Sequence, residues 1–440
     1  MMVPLVSPPS GSGSKAAGFF VDGKARSASE LLHEAGSLSR RFGDAHLYAL
    51  NLCRCRYLFT LGFIAALADG KVNLLPANRQ PQTVASVLQQ YRNTIVLHDL
   101  PLDEDVAAVL EDQGVEAIDV SRLSPVARQA TLAEAVPGDR VAAIVFTSGT
   151  TGQAGASIVA TVPPQHMYGL ETSVMMALHG QCLVSARQPL YPVDVCNALE
   201  EVPAPRFLVT TPLHLSALLR AKLPLPTLHT VISATAPLAT KLAEDVEKAW
   251  GCRVTEMFGC SEAGSLASRN TAENEVWQTL EGVELKALGA NVSVTAAHFS
   301  GSVTLQDRLE VLSPHRFRFI ARNSDMVNIA GKRASLAELT AQLLAVEGVE
   351  DGVFFLREDS GRDSKRSSEI NSETKVQRLA ALVVSTHDEM AIARSLARCV
   401  DPVFMPRPLK RVTRIPRNDL GKVPRSSLVR MLHQGDHCEC

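Results

Sequence analysis

Strands alternating with helices predict an α/β protein with parallel sheets, followed by a small α+β C-terminal domain. Three observations carry this expectation. Short apolar runs rich in β-branched residues alternate with helical stretches between residues 30 and 258, the pattern of βαβ crossovers. Residues 276 to 320 alternate apolar and polar side chains with a period of two, as in Phe317-Arg318-Phe319-Ile320, which reads as a small antiparallel sheet or partial barrel. Beyond 322–325 the chain reads as helix 335–346, strands 351–356 and 379–385, and helix 387–398. The expected domains are therefore a flexible leader over 1–20, an N-terminal domain over 21–322 and a C-terminal domain over 323–440.

The elements follow in order. Pro8-Pro9 and Gly11-Ser12-Gly13-Ser14 mark the leader, which lacks the charged start and long apolar middle of a secretion signal. Leu31, Leu32, Ala35 and Leu38 fall on one side of a helix over 30–42. Strand 47–53, helix 56–68, strand 72–76, helix 84–91 and strand 94–97 come next. The apolar run Val141–Phe146 reads as a buried strand. After residue 160 the expected elements are a buried helix at Met175–Leu178, strand 207–210, helix 212–219, a strand from Val231 that ends in a small-residue turn at Leu238, helix 242–250 and strand 254–258. Arg357 to Thr374, dense in Ser, Arg, Asp and Glu, reads as an exposed loop.

The chain of 440 residues is 46% hydrophobic, ample for more than one core. With 44 Lys and Arg against 46 Asp and Glu, its net charge of −2 gives no basic field for a nucleic-acid partner. The most apolar stretch, Tyr57–Ala68, is too short for a membrane span, and the expectation is a cytoplasmic protein. Nine cysteines are scattered, a pattern expected of reduced thiols. Cys53 and Cys55 read as incidental, and the His433, His437, Cys438 and Cys440 tail matches no standard zinc spacing.

The strand ending at Phe146 runs into Thr147, Ser148, Gly149, Thr150, Thr151 and Gly152. Six residues without a bulky side chain leave backbone N–H groups free to approach a ligand. Clustered N–H donors and hydroxyls suit phosphate oxygens; an ordinary turn between strands would use the same residues. Ligands of open α/β sheets bind beyond the carboxyl ends of strands, where this loop lies.

Taken with Ala234–Leu238, Phe258–Glu262, Asp307, Arg322 and Gly421-Lys422 in this order, the loop resembles the signature of the acyl- and aryl-acid adenylate-forming (AMP-binding) enzymes, over roughly residues 45 to 430. The resemblance implies a large N-terminal domain with αβαβα-type layered sheets, a reduced β-subdomain and a mobile C-terminal domain. It implies an acyl-CoA synthetase or acyl-carrier-protein ligase of short form. Such an enzyme joins a small carboxylic acid, aromatic or fatty, to ATP with release of pyrophosphate, and passes the acyl group to the phosphopantetheine thiol of CoA or of an acyl carrier protein.

By the same resemblance Glu262 holds Mg2+ near the phosphates, a hard carboxylate for a hard ion. Phe258 stacks on adenine, with Gly259 beside it, and Ser233, Ala234, Thr235 and Ala236 form the turn against which adenine and the acyl group lie. Ser261 bonds a phosphate or the loop. Asp307 accepts from both ribose hydroxyls, and Arg322 is a second nucleotide contact. His166 lines the carboxylate pocket. Lys422 bridges the carboxylate and the α-phosphate during adenylation. Ser324 stands at the hinge, and Gly331 and Lys332 belong to a loop that replaces Lys422 for the thiol step.

One position departs from the pattern: Gly155 stands where the glycine-rich loop normally reaches a lysine. Either Mg2+ and another base suffice, or pyrophosphate handling is altered, or adenylation is weak. The alternative function is accordingly a catalytically weakened relative that binds nucleotide or acyl ligand, or serves as a scaffold. The basic tail Arg407, Lys410, Arg411, Arg414 and Arg417 suits an acidic carrier protein, and equally a solvated charged face.

Overall fold

The structure is a computed structural model. It describes residues 2–6, 18–21, 23–76, 79–123, 135–137, 156–180, 182–260, 263–289, 291–297, 299, 301–322, 326–329, 332–357, 378–415, 417 and 425–433. By internal contacts the chain divides into Met1–Val283 with Ala296–Gly301, and Glu284–Thr295 with Ser302–Cys440. The short strands after residue 283 thus group with the second unit.

Among the described residues the first unit holds two larger sheets and one of two strands. In the first, Arg253–Cys260, Thr230–Ser233, Arg206–Thr210, Ser157–Ala160, Leu183–Ser185 and Gly18–Val21 run parallel in that spatial order. Antiparallel strands flank them: Gly264–Arg269 then Val276–Thr279 at one side, Lys24–Ser27 at the other. Val276–Thr279 therefore extends this sheet instead of opening a separate small one. The second sheet is parallel throughout, in the order Val72–Leu74, Tyr48–Asn51, Thr94–His98, Ala117–Asp119.

Two pieces of the expected leader are strands. Met2–Pro4 pairs antiparallel with Ala135–Pro137, and Gly18–Val21 joins the first sheet. Ladder bonds to distant strands override the Pro- and Gly-rich composition between them, whose residues 7–17 lie outside the described ones.

The helix Arg56–Ala68 is apolar around most of its circumference because it is covered on both sides. Phe59, Leu61, Phe63 and Ile64 are each at most 2% exposed, and burial of such side chains contributes about 2 kcal/mol each. Asn51 and Asn73 of the second sheet donate to the carbonyls of Phe59 and Phe63. At its N-terminus Arg56 reaches segments of the first sheet. This is the layered arrangement expected of the large domain. Helices Pro192–Glu201, Pro212–Ala221 and Thr240–Trp250 cover the first sheet through Val195, Leu199, Leu215, Leu218, Ala243 and Val246. Among the described residues no helix is long and apolar enough to cross a membrane.

In the second unit Val349–Arg357 and Arg378–Ser385 pair antiparallel, with Leu409–Arg411 parallel to the latter. Alternation along the strands divides two cores. Leu379, Ala381 and Val383 face the helices Leu336–Leu344 and Glu389–Leu396. Ala380, Leu382 and Phe355 pack with Ile415 and with Leu428 of helix Arg425–His433. The hairpins Asp307–Ser313/Arg316–Arg322 and Met326–Ile329/Lys332–Ser335 complete the antiparallel part.

Candidate active site

The strands Ser157–Ala160, Arg206–Thr210 and Thr230–Ser233 end side by side, and the segment carrying His166 is bound across their carboxyl ends. Arg56 is the main anchor. It is fully buried, and its fork donates from Nε to Ser173 Oγ at 2.9 Å, from Nη1 to the carbonyls of Ser185 at 3.2 Å and Arg187 at 2.8 Å, and from Nη2 to those of Ala160 at 3.2 Å and Val162 at 2.7 Å. All five guanidinium N–H groups are thereby used. Burial pulls its pKa down to about 10, which leaves it charged at neutral pH.

Other groups fix the same segment. Thr161 Oγ1 lies 3.0 Å from Thr210 Oγ1, and Thr211 Oγ1 lies 3.0 Å from His214 Nδ1. Arg79 donates to the carbonyls of Leu52 and Cys53 and, at 3.4 Å, to Gln165 Oε1. Half-buried His166 then caps the helix that starts at Met167. Tyr168 Oη donates to the carbonyls of Ile232 at 2.9 Å and Thr210 at 3.3 Å. Its hydroxyl is fully enclosed, and burial pushes its pKa well above the usual value.

The small-residue turn follows the next strand. Ser233 is fully buried, and its Oγ has no hydrogen-bond partner among the described residues. Thr235 holds a φ of 78°, a left-handed conformation that is costly for a β-branched residue. The turn is closed at Leu238, whose N–H donates to Glu256 Oε1 at 2.8 Å. Glu256 also accepts from Arg269 Nε and Thr271 Oγ1. Arg269 lies 4.5 Å above the Trp277 ring. Phe258 is 8% exposed and packs against Trp277 with ring centroids 5.6 Å apart. Beside it, a Cβ on Gly259 would sit 2.2 Å from the Gly264 carbonyl, so the hairpin requires glycine there.

The sequence did not point to Glu171. It lies in the buried π-helical turn Leu170–Met175 that follows the helix Met167–Gly169; such π-turns are common at functional sites. Its carboxylate accepts from the Ser265 N–H at 3.0 Å and from the Ser265 hydroxyl. It thus holds the strand Gly264–Arg269, just after Ser261 and Glu262. Burial pushes the Glu171 carboxyl above its ordinary 4.5, against the pull of the Ser265 bonds. The folded protein then holds the proton more tightly than the unfolded chain. This contribution to stability is present below about pH 4.5 and lost as pH rises through the raised folded value. Glu171→Gln cannot ionise and is expected to gain stability relative to wild type between about pH 4.5 and pH 7. Urea midpoints of both proteins across that range check this, and a difference independent of pH would overturn it.

In the second unit Asp307 and Arg322 face each other as cross-strand partners at the ends of one hairpin, which explains their spacing. Asp307 is 6% exposed. Lys332 stands opposite Ile329 on the next hairpin, and its Nζ lies 2.5 Å from Asp401 Oδ2. Thr147 to Gly152, Gly155, Ser261, Glu262, Ser324, Gly331, Gly421 and Lys422 lie outside the described residues, as does the Arg322 side chain. Among the described residues no group of three or more His, Cys, Asp or Glu could hold a metal, and the described cysteines are free thiols.

Residues 153–297 match the family model described as AMP-binding enzyme. No match was found among curated proteins. Among solved structures, ATP-bound MatB from Rhodopseudomonas palustris is 17% identical with a TM-score of 0.73, covering 96% of this chain and 97% of that one. A benzoate CoA ligase from Burkholderia xenovorans LB400 is 15% identical with a TM-score of 0.73, covering 94% and 96%. The O-succinylbenzoate coenzyme A synthetase MenE from Bacillus subtilis is 14% identical with a TM-score of 0.70, covering 91% and 97%. At these identities the likeness establishes the fold. The chain thus shares along nearly its whole length the fold of these adenylate-forming enzymes, and its residues 153–297 match the AMP-binding enzyme model.

Proposed function

We propose that the protein is an ATP-dependent ligase that converts a small carboxylic acid to its acyl-adenylate, releases pyrophosphate, and transfers the acyl group to a phosphopantetheine thiol. The observation that carries this reading is the junction at the carboxyl edge of the first sheet. Tyr168, two residues beyond His166, bonds the Ile232 carbonyl, one residue before Ser233. The acid-facing segment and the adenine-facing turn are thereby tied together where open α/β sheets bind ligands. The acid carboxylate lies near His166, and the nucleotide against Ser233, Ala234, Thr235 and Ala236. Asp307 takes the ribose hydroxyls and Arg322 the second nucleotide contact. Phe258 packs against Trp277 at the strand end, where it borders the adenine.

Lys422 neutralises charge as carboxylate oxygen meets α-phosphorus. Glu262 is the residue that would hold Mg2+, which supplies further charge neutralisation on the phosphates. Rotation about Ser324 exchanges Lys422 for the loop of Gly331 and Lys332. For the acceptor, Arg407, Arg411 and Arg414 are exposed and offer cations to an acidic carrier. Lys410 donates to the Met431 carbonyl instead, and Arg417 pairs with Asp351.

Exchange of radiolabelled pyrophosphate into ATP tests this with benzoate, O-succinylbenzoate and decanoate. Acid-dependent exchange is expected with at least one. A folded protein that exchanges with none would overturn the reading. Offering CoA and a phosphopantetheinylated carrier protein separately then assigns the acceptor.

A further inference from the structure

The segment from Ile415 to helix Arg425–His433 carries Lys422, and its two ends share one apolar core through Ile415 and Leu428. Arg417 adds a polar attachment. Its Nη2 donates to Asp351 Oδ1 at 2.5 Å and its Nε to Asp351 Oδ2 at 3.1 Å. This is a two-pronged pair, with the side chains 22% and 25% exposed; planar forks of this kind fix orientation as well as distance.

Asp351 is itself held in place. The ladder between Val349–Arg357 and Arg378–Ser385 shifts register between Val349 and Asp351, and such bulges re-aim side chains. Asp351 Oδ1 also accepts from the Gly352 N–H at 2.8 Å. Gly352 lies close under the helix Leu336–Leu344, where a Cβ would meet Leu343 Cδ2 at 2.8 Å. The carboxylate is therefore mounted on a rigid part of the second unit, and the Arg417 it holds stands five residues of chain before Lys422.

We propose that Asp351 and Arg417 form a positioning clamp for the loop that carries Lys422, serving the adenylation half-reaction and not the thiol step. The proposal rests on the adenylation reading above and on the role given there to Lys422. Both clamp residues act through the lysine and touch no substrate. Without the clamp, the tether to Lys422 starts at Ile415, and the ammonium samples more positions at the moment the two anions must meet. A misplacement of this kind costs roughly ten- to a hundredfold in rate.

The test separates the half-reactions of the full-length protein, using the acid of the panel with the fastest exchange. Asp351→Asn and Arg417→Lys are expected to slow ATP–pyrophosphate exchange by roughly tenfold or more. They should change thioester formation from the supplied acyl-adenylate by less than about twofold. The double swap Asp351→Arg/Arg417→Asp should recover much of the exchange. Arg417→Lys keeps the charge and loses the fork, so it tests the clamp even if Asp351→Asn melts early. Unchanged exchange in both single variants, while Lys422→Ala is inactive, would overturn the clamp and leave the adenylation reading intact. Equal loss in both half-reactions would reduce the pair to a structural one and also overturn the clamp. A wild type without exchange for any acid overturns the adenylation reading, and the clamp with it, before any variant is made.

Discussion

Lys422→Ala is expected to lower ATP–pyrophosphate exchange by a factor of about a hundred to a thousand, the usual cost of removing one preorganised charge-stabilising group. The carboxylate attacking the α-phosphorus and the phosphate it approaches are both anionic. Without a cation between them, their repulsion grows as the bond forms. The ammonium is a compact charge that can serve both at once. Gly155 sharpens the expectation: it stands where the glycine-rich loop of the resembled family has a lysine, so on the proposed reading Lys422 would carry a larger share of the positive charge at the phosphates. Thioester formation from a supplied acyl-adenylate should persist, because that step begins after the α-phosphate has been attacked. Single-turnover measurements of each half-reaction check this, and near-normal exchange in the variant would remove Lys422 from the chemistry.

Arg56→Met is expected to destabilise the protein by about 3 kcal/mol or more, since several buried acceptors lose their donor at once. The acceptors come from separate stretches of chain: the Ser173 hydroxyl and the carbonyls of Ala160, Val162, Ser185 and Arg187. Methionine fills much of the volume and supplies no N–H. Arg56→Lys should recover only part of the loss, because an ammonium has three donors without the planar spread of the fork. Urea denaturation measures the stability, and exchange kinetics measure the looser hold on the segment before His166. A change under about 1 kcal/mol would mean that water replaces the guanidinium at little cost.

Much of this architecture was legible in the sequence, where the signal was local. The helix Arg56–Ala68 could be read to the residue from its apolar run, and the central parallel strands from their β-branched composition. The order of the motifs carried the resemblance to the AMP-binding enzymes, whose fold the chain shares. The misses have a common physical origin. Gly18–Val21, Ser157–Ala160 and Leu183–Ser185 are three or four residues long, and pairing with distant neighbours, not composition, makes them strands. Tyr168, Glu171 and Arg79 matter through partners far away in sequence. Arg56 did leave a trace: a lone cation opening an otherwise apolar helix, at the end where the helix dipole disfavours it, requires compensation elsewhere in the fold.

The Tyr168 hydroxyl has a consequence for the lifetime of an intermediate. Carbonyls at the carboxyl edge of a parallel sheet have no further strand to bond and ordinarily recruit water. Here those of Thr210 and Ile232 are met by the hydroxyl of the buried Tyr168, and the Thr210 carbonyl also accepts from the Ala234 N–H. The place a bridging water would take is occupied by a covalently attached group. On the proposed reading the first half-reaction leaves a hydrolysable mixed anhydride, and a sheet edge closed this way would keep one water out of its surroundings until the acceptor arrives.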